Sequence, residues 1–489
     1  MKICILNPSY EASNSTFKGF DPPCDPRPHA PEHQWDQVFL DKAAAVSTIV
    51  KLASAGYDLF FQLCDGAWDE DRAGIEVVQG LERLGLPFTG ANSAWFDPTR
   101  DSMKRVCHAT GIPTPEHAMA RTRADLVAAA GWMTFPLIVK HPASYGSVGM
   151  TRACRVMTVE ALIEEGMRLV DLYGQVLVER FIEGREFTVL VSENADDPAR
   201  PHAYPPIECQ FPAGETFKHF DLKWKDFDAL RWVSVTDLGV AAQLQDFTAR
   251  MFLAYGGQGY GRCDFRMGSD GVLQCLEINA NCGVLYPQDS GASADEILAL
   301  DPKGPRGFVR SVIDAALARH RRTRPAFEIR WRPAAGWGMF ASRDLLPRDV
   351  IDRWEEREHV LVTRRQVATW SAQKADWFGR YAWPLTDEVY VMWSANPDQW
   401  TPIDHSCDPN GWLEGLDLVA RRAISVGESI TMDYATFCGP LTTPFDCTCS
   451  ASQCRGRVGP QDHRNPEFVA LYGDHVSDYV RQALSRVLA

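Results

Sequence analysis

The stretch GRCDFRMGSDGVLQCLEINANCG, residues 261–283, constrains this chain more than any other. Two apolar runs flank the turn-forming GSDG, and that pattern predicts an antiparallel hairpin. Asp264 stands on the first strand, Glu277 and Asn279 on the second. Residues two apart on a strand share a face, so Glu277 and Asn279 point the same way while Asp264 reaches across from its neighbour. A carboxylate that follows VLQCL is costly to bury without a partner. Two arrangements satisfy that constraint: the acids lie on a solvated face, or they share an ion. Hard oxygen ligands of this kind suit Mg²⁺ bridging nucleotide phosphates.

The surroundings read as α/β. KICILN forms a strand, a polar and proline-rich loop follows, and FLDKAAAVSTIVKLASAG reads as a helix; YDLFFQL is then a strand and AGIEVVQGLERLG a helix. Strands alternating with helices of that length argue for a parallel sheet. The pattern continues with a helix at SMKRVCHATG and strands at FPLIVKH, QVLVERFI and EFTVLV. A helix at RGFVRSVIDAALARHRR ends in RTRP, where proline suits a boundary. Beyond it the texture shifts to short β-rich runs with frequent tryptophan and a single lysine, Lys374. The expected domains are 1–100, 101–325, 326–458 and a helical tail at 459–489.

LIVKHPASYGSVGM places Lys140 at a strand end before the small residues Ser144, Gly146, Ser147 and Gly149. Such a loop lets backbone N–H groups approach phosphate oxygens, and a polar turn would show the same residues. Joined to the hairpin, the arrangement is more specific. LPFTGANSAWFDPTRDSMKRV, FPLIVKHPASYGSVGM, VLVERFIEGREFTV, HFDLKW and GRCDFR…CLEINANCG occur in an order and spacing that resembles ATP-grasp enzymes of the D-alanine–D-alanine ligase branch. That resemblance covers residues 1 to about 320. It implies that Lys104, Lys140 and the Ser147 loop contact ATP phosphates. It implies too that Glu179, Ile182 and Glu186 hold the adenosine beside Phe181, and that Lys223 closes over the phosphates. Arg262 would neutralise charge as the phosphoryl group moves, and Asp264, Glu277 and Asn279 would hold Mg²⁺. The implied reaction turns a carboxylate into an acyl phosphate that an amine attacks. Two departures concern the substrate: LCDGAWDEDR puts Asp65 before Gly66 where the family has histidine, and NANCGVLYPQ lacks the family's Ser-Pro-Gly-Met type segment. Glu11 stands either as an amine-holding acid or as a plain loop residue.

DCTCSASQCRG, residues 446–456, holds Cys447, Cys449 and Cys454. These are three unrelated thiols or a metal site, and Cys407 in the upstream IDHSCDPN offers a fourth thiolate that would close a tetrahedral Zn²⁺ site. AAGWGMFASRDLLPRDVI, IDHSCDPN, VARRAISVGESITMDYA and CTCSASQCRG together resemble a SET methyltransferase domain with its post-SET tail, over residues 326 to about 458. The resemblance implies one zinc on Cys407, Cys447, Cys449 and Cys454. It implies that Gly336, Trp337, Gly338, Asp404 and His405 bind S-adenosylmethionine and that Tyr434 is catalytic. Asp404 replaces the family's asparagine. Trp370, Trp377, Trp383, Trp393 and Trp400 read as core more readily than as a methylammonium cage.

The expected architecture is therefore an α/β and α+β ATP-grasp fold to about residue 320, followed by a mainly β SET domain with a zinc-bound post-SET segment. The expected function is an ATP-dependent carboxylate-amine ligase joined to an S-adenosylmethionine-dependent N-methyltransferase. An alternative makes the second half a non-catalytic module that recognises an amine, and a third reading makes the chain a protein lysine methyltransferase with a degenerate ATP-binding half. The substrate is expected to be an amino acid or peptide. A net charge of −14 offers no basic footprint for nucleic acid. No apolar run of membrane-spanning length occurs, so a cytoplasmic protein is expected. A homodimer is what the first resemblance allows.

Overall fold

The structure is a computed structural model that describes residues 1–489 except 144–145, 288–289, 291, 334–335, 355–358, 393–400 and 489. Ser144, Trp393 and Trp400, named above, lie outside the described residues. The chain divides into two compact units, Met1–Thr323 and Arg324–Ala489.

The first unit opens with strands β1 (Lys2–Pro8) and β2 (Gln34–Leu40), helix α1 (Ala45–Leu52), strand β3 (Leu59–Gln62) and helix α2 (Ile75–Arg83). The three strands form a parallel sheet in the order β2-β1-β3. Phe39 and Leu40, expected in a helix, end β2 instead, and the helix begins at Ala45. An edge strand is held by backbone bonds on one side, so β2 needs little apolar alternation to form. Along β1, Cys4 and Leu6 pack toward α1 and α2, while Ile3 and Ile5 pack against a late helix described below. Each such buried side chain contributes roughly 1.5–3 kcal/mol.

Helix α3 (Arg100–Thr110) follows. It starts where the Thr99 hydroxyl accepts a hydrogen bond from Ser102 N and stops at Gly111, whose φ of +67° is left-handed. Next come β4 (His117–Ala120), α4 (Arg123–Ala130), β5 (Leu137–Lys140), β6 (Arg155–Val156), α5 (Val159–Tyr173) and β7 (Val176–Arg180). They build a four-stranded sheet, β4-β7-β5-β6, covered by α4 and α5.

A second, antiparallel sheet uses β8 (Arg185–Ser192), β9 (His202–Ala203), β10 (Ile207–Gln210), β11 (Arg231–Ser234), β12 (Tyr260–Met267) and β13 (Leu273–Ala280), in the order β11-β10-β8-β12-β13 with β9 on β8. Helix α6 (Phe220–Trp224) lies in the connection after β10. Helix α7 (Leu238–Ala254) backs this sheet with Leu244, Phe247 and Met251. After β13 come α8 (Ser293–Leu300) and α9 (Gly304–Thr323). Phe308, Val312 and Ile313 of α9 cover the Ile3 and Ile5 face of the first sheet.

The second unit consists of short strands: β14 (Phe327–Arg332), β15 (Gly336–Ala341), β16 (Val350–Asp352), β17 (Val360–Thr363), β18 (Trp383–Pro384), β19 (Val389–Met392), β20 (Asp404–His405), β21 (Gly411–Glu414), β22 (Asp417–Ala420), β23 (Thr431–Met432), β24 (Phe445–Asp446) and β25 (Arg457–Val458). These pair into small sheets, among them β16-β22-β21 and the parallel pair β20-β23. Helices α10 (Arg364–Val367) and α11 (Ala372–Tyr381) intervene between β17 and β18, and α12 (Pro466–Tyr472) and α13 (Asp478–Leu488) come last. Trp383 stacks on Phe437, with centroids 4.7 Å apart, and receives Trp354 edge-on, so this tryptophan is core. Trp377 is exposed.

Among the described residues, no helix is long and apolar enough to cross a membrane. A buried acid ties α9 to the rest of its unit: the Arg319 guanidinium pairs with Glu193 and donates to Phe88 O at 2.7 Å, and Arg322 approaches Glu193 at 3.2 Å. Arg319→Met is expected to destabilise the protein by roughly 3 kcal/mol, because Glu193 loses its main buried partner. An unchanged urea midpoint would show that Arg322 alone satisfies the carboxylate.

Candidate functional site

Glu179 lies on β7, opposite Ile138 of β5 and His117 of β4. It is 1% exposed and bridges two ammonium groups, Lys104 Nζ at 2.5 Å and Lys140 Nζ at 2.6 Å. Lys104 projects from α3 and also donates to Thr114 Oγ1 and Leu276 O, each at 3.0 Å. Burial alone would raise the Glu179 pKa, but the two lysines outweigh it and hold the carboxyl at about 2. Burial also lowers the Lys140 pKa, with Glu179 opposing it. Two cations on one anion leave a surplus positive charge, which favours an anionic ligand.

The face of the β12–β13 hairpin carries the second group. Asp264 pairs in register with Glu277, and Arg262 with Asn279, so all four side chains share one side. On the next strand Thr188 Oγ1 donates to Asp264 Oδ1 at 2.5 Å. Arg262 Nη2 lies 3.3 Å from Asp264 Oδ2, and the Arg100 guanidinium pairs with Glu277. Burial would raise the Asp264 pKa, yet Arg262 and Lys218 keep it well below the ordinary carboxylate range. The buried amide oxygen of Asn279 has no hydrogen-bond partner among the described residues. Two carboxylates and a free amide oxygen on one face fit a hard divalent cation such as Mg²⁺.

A cavity joins the two groups, lined by Lys140, Ser147, Glu179, Phe181, Ile182, Glu186, Lys218, Lys223, Asp264 and Glu277. Glu186 is held by Lys218 Nζ at 2.7 Å and Arg266 Nε at 3.3 Å. Ser147 has a φ of +61° and donates its hydroxyl to Lys218 O at 2.7 Å, which ties the small-residue loop to the segment before α6. Lys223, on α6, has its pKa lowered to about 8 by burial and then by the nearby cations Arg262 and Lys218.

Arg100, Lys218 and Arg266 belong to this site and were not anticipated. Arg100 precedes Lys104 by one helical turn and Arg266 shares the strand face of Arg262 and Asp264, so periodicity contained both. No pattern marks Lys218. Glu11 and Asp65 line an adjoining cleft.

In the second unit, Cys407, Cys447, Cys449 and Cys454 place their sulfurs within 4.8 Å of one another. The Cys407–Cys447 sulfur separation is 3.8 Å. Tetrahedral zinc with Zn–S bonds near 2.3 Å requires sulfurs about 3.8 Å apart, so the cluster fits that ion. His405 lies between this cluster and Tyr434: its Nε2 is 3.4 Å from Cys407 Sγ, and its Nδ1 accepts from Tyr434 N at 3.2 Å. Burial lowers the His405 pKa to about 4, against the pull of Asp433. Its ring is thus engaged within the protein. Tyr434 Oη donates to Ile403 O at 2.5 Å. The preceding residue, Asp433, is fully buried; it accepts two bonds from Arg455, at 2.7 and 2.6 Å, and one from Tyr472 Oη at 2.9 Å.

Asp404 forms an ion pair with Arg332 at 2.7 Å. Burial raises its pKa and Arg332 opposes that shift. A Cβ on Gly338 would meet Arg332 Nη2 at 2.9 Å and Asp404 Oδ2 at 3.0 Å, so glycine there lets the pair lie against β15. Gly336, with φ +77°, and the half-exposed Trp337 complete this edge. The Asp404–Arg332 pair thus lies beside the glycine-bearing edge of β15.

Glu179→Gln is expected to cost about 3 kcal/mol of stability by leaving two ammonium groups facing a neutral amide. Because the folded carboxyl titrates at about 2, below the ordinary ~4.3 of an unfolded glutamate, its contribution is complete above about pH 5 and is lost as pH falls toward 2. The stability difference between wild type and variant should therefore be flat from pH 8 to 5 and shrink below about 4.5. A difference that persists unchanged at pH 3 would contradict the ion pair.

Residues 106–287 match the family model for the D-ala D-ala ligase C-terminus, and residues 336–435 match that for the SET domain. D-alanine–D-alanine ligase from Ectopseudomonas mendocina is 35% identical over 240 residues, 48% of this chain and 71% of that protein. The Bordetella petrii enzyme of the same name is 33% identical over 243 residues, 48% and 70% of the two chains. The solved Bacillus anthracis D-alanine–D-alanine ligase covers 66% of this chain and 99% of its own at 17% identity, with a TM-score of 0.49. The chain belongs to the D-alanine–D-alanine ligase family of ATP-grasp proteins and carries a SET domain behind that region.

Proposed function

We propose that the first unit is an ATP-dependent ligase that joins a carboxylate to an amine, and that the SET-bearing unit transfers a methyl group from S-adenosylmethionine to an amine of the substrate or product. The observation that carries the ligase reading is the cavity that Lys140 and Glu179 line together with Asp264 and Glu277, with Lys104 paired to Glu179 behind it and Asn279 on the same hairpin face. ATP supplies a transferable phosphoryl group, and Mg²⁺ would be held by those three oxygen-bearing side chains.

Each residue then has a definite task. Lys140 and the Ser147 loop receive the phosphate tail, and Lys223 approaches it from α6. Phosphoryl transfer spreads negative charge over the peripheral oxygens, and Arg262, fixed against Asp264, is placed to neutralise it. Phe181 and Ile182 give an apolar wall for a base, and Glu186, positioned by Lys218 and Arg266, offers acceptors to a ribose. Asp65 and the NANCGVLYPQ segment depart from the family where the amino-acid substrates bind, which supports a carboxylate and amine other than two D-alanines. In the second unit, the Tyr434 hydroxyl, which donates to Ile403 O, would orient a neutral amine, so the gain there comes from proximity and alignment.

A second reading keeps the ligase and makes the SET-bearing unit a module that binds an amine without methylating it. The observation favouring it is Asp404 already paired with Arg332, together with a His405 ring whose nitrogens face Cys407 and Tyr434.

Mass spectrometry of reactions containing ATP, magnesium, S-adenosylmethionine and a panel of amino acids and amines tests both readings. We expect a product that gains an amide bond and a methyl group, with Asp264→Ala losing the first change and Tyr434→Phe the second. An amide product that forms without any methylation, in wild type and Tyr434→Phe alike, would select the binding module. Elemental analysis is expected to find one zinc per chain, with Cys449→Ser retaining less than half of it. Equal zinc in both proteins would rule out the four-sulfur site.

A further inference from the structure

Three cavities of the first unit adjoin in series. The nucleotide-side cavity shares Lys218 and Lys223 with a middle one that also touches Arg262 and Asn279. The middle cavity in turn shares Asp21, Asp65, Asn281 and Tyr286 with a third, which adds Glu11 and Asp41. The lining therefore changes from cationic near the phosphoryl-handling residues to anionic at the far end.

The anionic end is undercompensated. Arg72 is buried and reaches three carboxylates: Asp65 at 2.9 Å, Glu70 at 2.7 Å and Asp21 at 3.5 Å. One guanidinium cannot balance them, and the Lys18 ammonium, also in the cleft, bonds the backbone oxygens of Glu11 and Ser13 and makes no ion pair with these acids among the described residues. Asp21 accepts from the hydroxyls of Tyr10 and Tyr286, the latter at 2.6 Å. Each carboxylate oxygen still has a lone pair to offer. Burial and the neighbouring Asp65 charge raise the Asp21 pKa, as expected for an anion short of counter-charge.

A separate feature points to the other end of a ligand. Asn281 is 4% exposed and lines both of these cavities. Its Oδ1 accepts from Ala91 N at 2.8 Å, while its buried Nδ2 has no partner among the described residues. An orphaned amide donor costs free energy unless an oxygen of a ligand meets it.

We propose that this cleft selects an amino-acid substrate with a cationic side chain, its carboxylate directed to Arg262 and Asn281 and its side-chain ammonium to Asp21 and Asp65. This assignment rests on the ligase reading and names the substrate class for it. A second ammonium in the cleft supplies the charge that Arg72 alone does not, and the carboxylate gives Asn281 Nδ2 its acceptor.

Calorimetric titration of the full chain, with magnesium and a non-hydrolysable ATP analogue present, tests it using both enantiomers of lysine and ornithine, with norleucine and alanine as uncharged counterparts and cadaverine as a diamine lacking the carboxylate. Lysine or ornithine should bind at least about tenfold more tightly than norleucine and than cadaverine, and Asp65→Asn should abolish the preference over norleucine. Asp21→Asn serves as the second variant, with binding of the ATP analogue reporting that each variant is folded. Norleucine or cadaverine matching lysine, or a preference that survives both substitutions, overturns the assignment. Phosphate release from ATP is read in parallel. Selective lysine binding without turnover sinks the ligase reading and leaves the cleft assignment standing, whereas equal turnover of norleucine and lysine does the reverse.

Discussion

The carboxylate of Glu179, shared by Lys104 and Lys140, governs how the first unit can be built. Removing three charged groups from water is tolerable only because each is hydrogen-bonded to another or to fixed backbone oxygens. The three residues come from α3, β5 and β7, so the requirement fixes the distance between a helix and the sheet it approaches. Lys104 extends the constraint further, since it also donates to Leu276 O on β13 of the other sheet. Charge satisfaction and the placement of the two sheets around the cavity are thus one problem with one solution.

The hairpin obeys the same logic in a different form. Asp264 and Glu277 face each other in register, and like charges opposite one another on a sheet repel. Arg262 and Arg100 relieve that repulsion from two directions. The site consequently holds its acids close together, which is what a bridging cation needs, while remaining a folded surface.

Alternation and motif spacing carried much of this architecture. The β1 run KICILN alternates between two apolar faces, and both prove to be covered, by α1 and α2 on one side and α9 on the other. Strand β2 was missed because QWDQVFL has no clean period, and an edge strand needs backbone partners more than buried side chains. Helices α5 and α7 carry apolar residues at helical spacing, Leu162 and Leu169 in one and Leu244, Phe247 and Met251 in the other, whereas the alanine-rich α4 carries no such stripe. Within the site, Arg100 and Arg266 were recoverable from helical and strand periodicity measured from Lys104 and Asp264. Lys218 was not, since its contact with Glu186 depends on how the segment between β10 and α6 folds back. The Asp404–Arg332 pair was likewise hidden: its members lie more than seventy positions apart in the chain, and only the fold brings them together.

Asp433 joins three separate parts of the second unit through Arg455, Tyr472 and the turn that begins at Tyr434. An anion removed from water needs its partners in place, so burial of Asp433 couples the Tyr434 turn to the Arg455 segment and to α12, parts that lie far apart along the chain.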